Sequence, residues 1–136
     1  MRAATGAALA TYDESVPGYS WVLGSPAFSL EESGDYDEAE SAGRRAVSLD
    51  PADIWAAHAV AHVCEMQDRI AVGADWIGGR APYWGEINNF VFHARWHRCL
   101  FLLALGRADD VLDLYDREVR AESTDDYLDI SNAVSL

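Results

Sequence analysis

The sequence predicts an all-α protein: a right-handed helical-repeat solenoid of about three helix hairpins followed by a C-terminal helix. Three observations lead to this prediction. Apolar residues recur at three-to-four-residue spacing through most of the chain, which is the period of an α-helix. The turn residues Gly34, Asp68 and Gly106 separate the helical segments at intervals of 34 and 38 residues. The chain has 136 residues and is 50% hydrophobic, which is enough for one domain with a modest core.

The first segments consist of a lead-in and one long helix. Residues 1–18 are small and polar and include Pro17-Gly18, so we expect a flexible lead-in before a repeat domain over residues 19–136. A first helix is predicted from about Tyr19 to Glu32. Pro26 lies inside it and should kink it or remove one backbone hydrogen bond. Ser33-Gly34 should end the helix, because glycine tolerates the left-handed conformation.

Six further helices follow from the same periodicity and from turn residues. Asp50-Pro51 should end the second helix and Gly78-Gly79 the fourth. Asn88 or Asn89 is predicted to cap the fifth, and Thr124 or Asp125 the seventh. The predicted spans are Tyr36 to Leu49, Ala52 to Met66, Arg69 to Ile77, Phe90 to Leu105, Ala108 to Arg120, and a last helix that reaches Leu136, with an irregular loop over 78–88.

The repeat length indicates the type of solenoid. A helix–turn–helix period of 34 residues is typical of tetratricopeptide repeats. In such repeats a small residue stands where the first helix of each hairpin meets its partner, and Ala27, Ala61 and Cys99 occupy that position here. The second helices should also carry small residues. Ala39 and Ala46 fit that rule, whereas Gly73 and Val111 fit it less well.

Four segments resemble one known family. They are AFSLEESGDYDEAE (27–40), DIWAAHAVAHVCEMQDR (53–69), HARWH (93–97) and LDLYDREV (112–119). Together they resemble the tetratricopeptide repeat protein 38 family, whose following helix is similar to the tail DYLDISNAVSL. The resemblance implies a helical-repeat fold and places this chain in the middle section of a longer protein. It implies no particular reaction, and Pro26 and Asp68 depart from the expected pattern.

Charge and cysteine content restrict the partners. The net charge of −13 argues against nucleic-acid and anionic-membrane partners, because both require clusters of Lys and Arg. Cys64 and Cys99, in a chain without a recognisable signal peptide, are typical of a reducing compartment, so we expect a cytoplasmic protein. Both cysteines have apolar neighbours and are predicted to pack in the core.

The four histidines of the chain form two HxxxH pairs, His58/His62 and His93/His97. Spacing of i, i+4 places both imidazoles of a pair on one helix face, and Glu65 extends the first of these faces. Each pair lies on the first helix of a predicted hairpin, and these helices line the concave groove of a solenoid. Neighbouring helices pack ~8–10 Å apart, so the two pairs could converge.

Three interpretations of these residues remain open. The histidines could be structural, bonded to Glu65 or to carbonyl groups in an aromatic layer. The leading functional prediction is a non-enzymatic interaction module that binds a peptide or small-molecule ligand. Its groove would be lined by Trp55, His58, His62, Glu65, His93, Trp96 and His97.

The alternative is a metal-binding protein or metal-dependent enzyme, in which His58, His62, His93 and His97 bind a divalent transition metal such as Zn²⁺. Glu65 would then be the best candidate for an acid or base. The zinc-protease mechanism is excluded, because Ala59 stands where its glutamate follows the first histidine. No nucleophile–base pattern and no phosphate-binding glycine loop is apparent in the sequence.

The last predicted helix carries apolar residues that a terminal repeat would not need. Ile130, Val134 and Leu136 are the residues concerned. Because terminal helices of solenoids are normally polar, we expect either that this helix pairs with a second copy of the chain or with a partner chain, or that the sequence is part of a longer protein.

Overall fold

The computed structural model describes residues 11–12, 14–85 and 87–136, and all regular structure within these ranges is helical. Most of the predicted lead-in (1–10 and 13) lies outside the described residues. A 3₁₀ turn at Ala81–Tyr83 follows α4, and a π-helical turn at Tyr115–Val119 follows α6. The described helices are α1 (Tyr19–Glu31), α2 (Tyr36–Leu49), α3 (Ile54–Met66), α4 (Ile70–Arg80), α5 (Phe90–Ala104), α6 (Ala108–Leu114) and α7 (Tyr127–Val134). None of them has the length and apolar character required to cross a bilayer.

Most helix boundaries match the periodicity, and three differ. The helix α4 continues through Gly78-Gly79 to Arg80. Gly78 allows close packing instead of ending the helix, since a Cβ there would lie 3.1 Å from Arg98 Nε. The helix α6 ends early because the chain enters the π-helical turn. The helix α7 begins at Tyr127, since Asp126 provides the cap and accepts bonds from Leu128 and Asp129.

The three turn residues that define the repeat length share one backbone conformation. Gly34 has φ 81°, Gly106 has φ 72° and Asp68 has φ 55°. Asp68 is the one non-glycine residue with positive φ in the described part of the chain. Aspartate tolerates this conformation better than most residues do. All three turn residues therefore lie in the positive-φ region.

The chain divides into two compact units, of which the first ends at Gln67 and the second begins at Asp68. In the first unit α1, α2 and α3 all pack against one another. Small residues permit this close approach: a Cβ on Gly43 would lie 2.6 Å from Val60 Cγ2 and 3.1 Å from the Ala56 carbonyl oxygen. Ala27 and Ala46 are fully buried at the same interfaces.

Asp53 immediately precedes α3 and is fully buried. Its Oδ1 accepts a 3.0 Å hydrogen bond from the backbone N–H of Ala56, which caps the helix. Burial raises the pKa of this carboxyl to about 6, although the bond from Ala56 partly opposes the shift. The helix that carries the first histidine pair is therefore fixed at its beginning by a buried carboxyl group.

The second unit is built around α5, which packs against α4, α6, the π-helical turn and α7. Polar bonds fix α7 to α5. Asn89 Nδ2 donates to Asp129 Oδ2 at 3.2 Å, and Trp96 Nε1 donates to Ser135 Oγ at 2.9 Å. These two bonds set the register of α7 along the face of α5 that carries the second histidine pair.

Candidate metal centre

The first histidine pair lies on the middle of α3. His58 is buried and His62 is partly exposed. Their Nε2 atoms face each other at 3.0 Å, and the ring centroids are 4.3 Å apart. The i, i+4 spacing on a regular helix is sufficient to bring the two nitrogens together.

Aromatic rings fix the orientation of this pair. Phe28 of α1 stacks on His58 with centroids 5.7 Å apart and contacts the edge of His62 at 5.6 Å. Trp55 lies beside His58 at 5.7 Å and remains 48% exposed. The rings limit rotation of the imidazoles and leave an indole surface open to solvent.

A carboxylate from another helix faces the outer nitrogen of His62. Glu31, at the end of α1, is only 6% exposed, and its Oε2 lies 3.7 Å from His62 Nδ1. Burial raises the pKa of Glu31, and the nearby carboxylates of Glu32 and Glu65 raise it further. A cation at His62 would provide the compensating charge that this buried carboxyl group needs.

The second pair, on α5 of the second unit, repeats this geometry. The Nε2 atoms of His93 and His97 face each other at 3.2 Å, with ring centroids 4.7 Å apart. Trp96 stacks on His93 at 5.4 Å and contacts the edge of His97 at 4.9 Å. Each unit thus carries two imidazoles that face each other through the same nitrogen.

An amide from α7 faces the second pair, but it contacts the first histidine of that pair, whereas Glu31 contacts the second histidine of the other. Asn132 Oδ1 lies 3.3 Å from His93 Nδ1. Burial, and to a smaller extent the neighbouring His97, lower the pKa of His93 to about 4, while the contact with Asn132 acts in the opposite direction. His93 is therefore neutral at physiological pH, which is the form that binds metals.

The separation within each pair fits metal coordination. Two nitrogens bound to one ion at ~2.0–2.1 Å, with an angle of roughly 90–110° between the bonds, are about 2.9–3.4 Å apart. The observed separations of 3.0 Å and 3.2 Å lie inside this range. The nitrogen–nitrogen separation in either pair is therefore compatible with two ligands on one transition-metal ion.

The predicted metal residues are His58 and His62 in the first unit and His93 and His97 in the second, and each pair is a candidate ligand set for a metal ion. The cysteines belong to neither pair. Both are buried, and burial raises the pKa of the Cys99 thiol to about 11, which disfavours the thiolate form that metals need.

The remaining predicted groove residues differ in their surroundings. Trp55 and Glu65 are exposed, whereas Trp96 is partly buried. Neither Glu31 nor Asn132 was among the predicted site residues. Neither contact has a local signal, because each partner lies on a different helix from its histidine.

No family model matches this chain, and no solved structure matches it. The resemblance to the tetratricopeptide repeat protein 38 family therefore stays an expectation from the sequence.

Proposed function

We propose that this protein binds a divalent transition metal through the Nε2 atoms of His58, His62, His93 and His97. The observation that carries the proposal is the face-to-face arrangement of Nε2 atoms in each pair, at 3.0 Å and 3.2 Å. These are the separations of two ligands on one ion. A set of neutral imidazoles suits Zn²⁺, Cu²⁺ or Ni²⁺ better than Mg²⁺ or Ca²⁺, which prefer oxygen ligands.

Metal titration of the untagged, chelator-treated protein tests this proposal. We expect tight binding of Zn²⁺ and Co²⁺ by calorimetry, and an increase in the melting temperature. An ion present at about 100 times its Kd adds about 2.7 kcal/mol to the free energy of unfolding. The chain has only four histidines, so any imidazole signal comes from these pairs.

Two sets of variants give the stoichiometry and the control. If one ion takes ligands from both pairs, His58→Gln and His97→Gln each abolish binding of a single equivalent. If each pair binds its own ion, each variant removes one of two equivalents. Cys64→Ala and Cys99→Ala should bind as the wild type does. Protein that takes up no metal, with a melting temperature that ignores both chelator and added metal, would contradict the proposal.

A second candidate is the predicted groove for a peptide or small molecule. The observation that favours it is the exposed indole of Trp55 beside Phe28, with centroids 5.9 Å apart. Large exposed aromatic rings are typical of binding surfaces. The metal titration separates the two candidates, because a peptide-binding surface does not require the imidazole nitrogens.

We also propose that the helices form a right-handed, tetratricopeptide-like solenoid. It is supported by the left-handed conformation of Gly34, Asp68 and Gly106 at intervals close to the repeat length. It is also supported by the small residues predicted at the hairpin interfaces, since Ala27, Ala61 and Cys99 are all fully buried.

A further inference from the structure

One histidine of each pair has its second ring nitrogen directed at an oxygen atom on a different helix of its own unit. His62 Nδ1 faces Glu31 Oε2 at 3.7 Å, and His93 Nδ1 faces Asn132 Oδ1 at 3.3 Å. Both oxygen-bearing residues are buried, with 6% and 5% of their surface exposed. The oxygen faces the second histidine of the pair in the first unit and the first histidine in the second unit, but in both it faces an Nδ1 atom.

An oxygen in this position favours a proton on the ring nitrogen that faces it: Asn132 Oδ1 lies at hydrogen-bond distance from His93, and Glu31 Oε2 at ion-pair distance from His62. A carboxylate or an amide oxygen accepts a hydrogen bond but cannot donate one, so it favours the tautomer with hydrogen on Nδ1. The Nε2 atom then keeps its lone pair. In both units this Nε2 is the atom that faces the second imidazole of the pair. Metal-binding histidines commonly donate their other N–H to a carboxylate or carbonyl oxygen in this way.

We propose that Glu31 and Asn132 are positioning residues of the metal centre, which hold His62 and His93 in the tautomer whose Nε2 lone pair binds the ion. This inference rests on the proposed metal binding and extends it to two residues outside the histidine pairs. With no ion bound, His58 and His97 would donate their Nε2–H to these lone pairs; to bind an ion, each would need the tautomer with hydrogen on Nδ1.

The two positioning residues differ in charge, so we expect them to contribute differently to the metal affinity of their units. An ionised carboxylate at His62 makes the imidazole a stronger electron donor and offsets the charge of the ion. The neutral amide at His93 fixes the ring without adding charge. Removing Glu31 should therefore weaken metal binding more than removing Asn132 does, and each loss should lie within about 10- to 100-fold.

A competing arrangement uses the same carboxylate as a direct ligand. Glu31, Glu32 and His62 have donor atoms within 4.8 Å of one another and could hold an ion themselves. That site would use Nδ1 of His62 and both carboxylates, and would not need His58. Glu32 therefore distinguishes the two arrangements, because it has a role only if the carboxylates bind the ion directly.

The experiment has two parts, and the first needs no metal. Nitrogen-15 NMR of the histidine rings reports the tautomer of each imidazole in the chelator-treated protein. We expect hydrogen on Nδ1 at His62 and His93. We also expect Glu31→Leu and Asn132→Leu to shift the ring concerned toward a mixture of tautomers. Hydrogen on Nε2 at His62 and His93 of the wild type would overturn the positioning role, whether or not the protein binds metal.

The second part measures Zn²⁺ affinity by competition with a chromophoric chelator, and the geometry from the visible spectrum of bound Co²⁺. Glu31→Leu and Asn132→Leu should lower the affinity and alter the Co²⁺ spectrum. Glu31→Gln keeps an acceptor oxygen and should recover part of the loss, and Asn132→Asp should bind at least as tightly as the wild type. The control Glu32→Gln should match the wild type.

The outcomes separate the two proposals. If the wild type binds Zn²⁺ and both leucine variants bind equally tightly, the positioning role is wrong and the metal-binding function stands. If Glu32→Gln loses as much affinity as Glu31→Leu, the carboxylates are direct ligands and the positioning role of Glu31 is wrong. If the wild type binds no metal, both proposals are wrong.

Discussion

At the scale of single residues, the buried carboxyl group of Asp53 makes the stability of the protein depend on pH. Its folded-state pKa of about 6 exceeds the value of about 3.9 expected in the unfolded chain. Between these values the folded state binds more protons than the unfolded state. This group therefore stabilises the fold most below about pH 4, and its contribution falls as pH rises through about 6, by about 3 kcal/mol.

The substitution Asp53→Asn tests this dependence. The amide oxygen still caps α3 through the N–H of Ala56, but the side chain cannot ionise. We expect the free energy of unfolding of the variant, relative to the wild type, to rise by up to about 3 kcal/mol between pH 4 and pH 7. Urea denaturation at a series of pH values measures it. Asp53→Ser, a second neutral cap, should show the same slope, and a pH-independent difference for either variant would contradict the argument.

The residue scale also shows how much of the candidate site the sequence could predict. The pairs His58/His62 and His93/His97 were predictable because i, i+4 spacing on a helix places two side chains together without tertiary information. Asn132 was not predictable, because it lies 39 residues from His93 and reaches it only through the packing of α7 on α5. For the same reason Glu31 could not be assigned to His62.

At the scale of helices, close packing in the first unit depends on a glycine. A Cβ at Gly43 of α2 would overlap Val60 of α3 at 2.6 Å, and Val60 is fully buried. We expect Gly43→Ala to lower the free energy of unfolding by about 1–3 kcal/mol. Val60→Ala provides space for the added methyl group. The double variant should therefore be more stable than the sum of the two single changes, as urea denaturation would show.

Gly79 provides the matched control for this prediction. It lies within α4, and in the described part of the chain a Cβ added there would have no atom within 4 Å apart from its chain neighbours and the backbone of its own helix. Gly79→Ala should therefore raise the free energy of unfolding by about 0.5–1 kcal/mol through the conformational entropy of the unfolded chain. Equal destabilisation by both Gly→Ala changes, or simple additivity of Gly43→Ala and Val60→Ala, would show that close helix packing is not the cause.

Some helix boundaries could be predicted from the local sequence and others could not. The boundaries of α2 agree with the prediction because Gly34 and Asp50-Pro51 stop a helix for local steric reasons. Gly78-Gly79 provided the same local signal, but α4 continues through it. The difference is tertiary: the guanidinium group of Arg98 packs against Gly78, and this contact does not appear in the local sequence.

At the scale of the whole molecule, net charge disfavours the association of two copies, whereas exposed apolar surface favours it. The chain carries a net charge of −13, so two copies repel at low ionic strength. The helix α7 nevertheless exposes Tyr127 (84%), Ile130 (41%) and Val134 (81%) along one face. The expected pairing of two copies through this helix therefore depends on salt, because the Debye length falls from about 30 Å at 0.01 M to about 3 Å at 1 M.

We expect sedimentation equilibrium to show monomers at about 0.01 M salt and a growing fraction of dimers toward about 1 M, as screening removes the repulsion. The variants Val134→Lys and Leu112→Lys distinguish the effect of net charge on association from the effect of apolar contact through α7. Each reduces the net negative charge by one, and Leu112 is 68% exposed on α6. Repulsion alone predicts that both variants associate more readily. Pairing through α7 predicts that Val134→Lys abolishes the dimer while Leu112→Lys does not, and a strict monomer at every salt concentration would refute it.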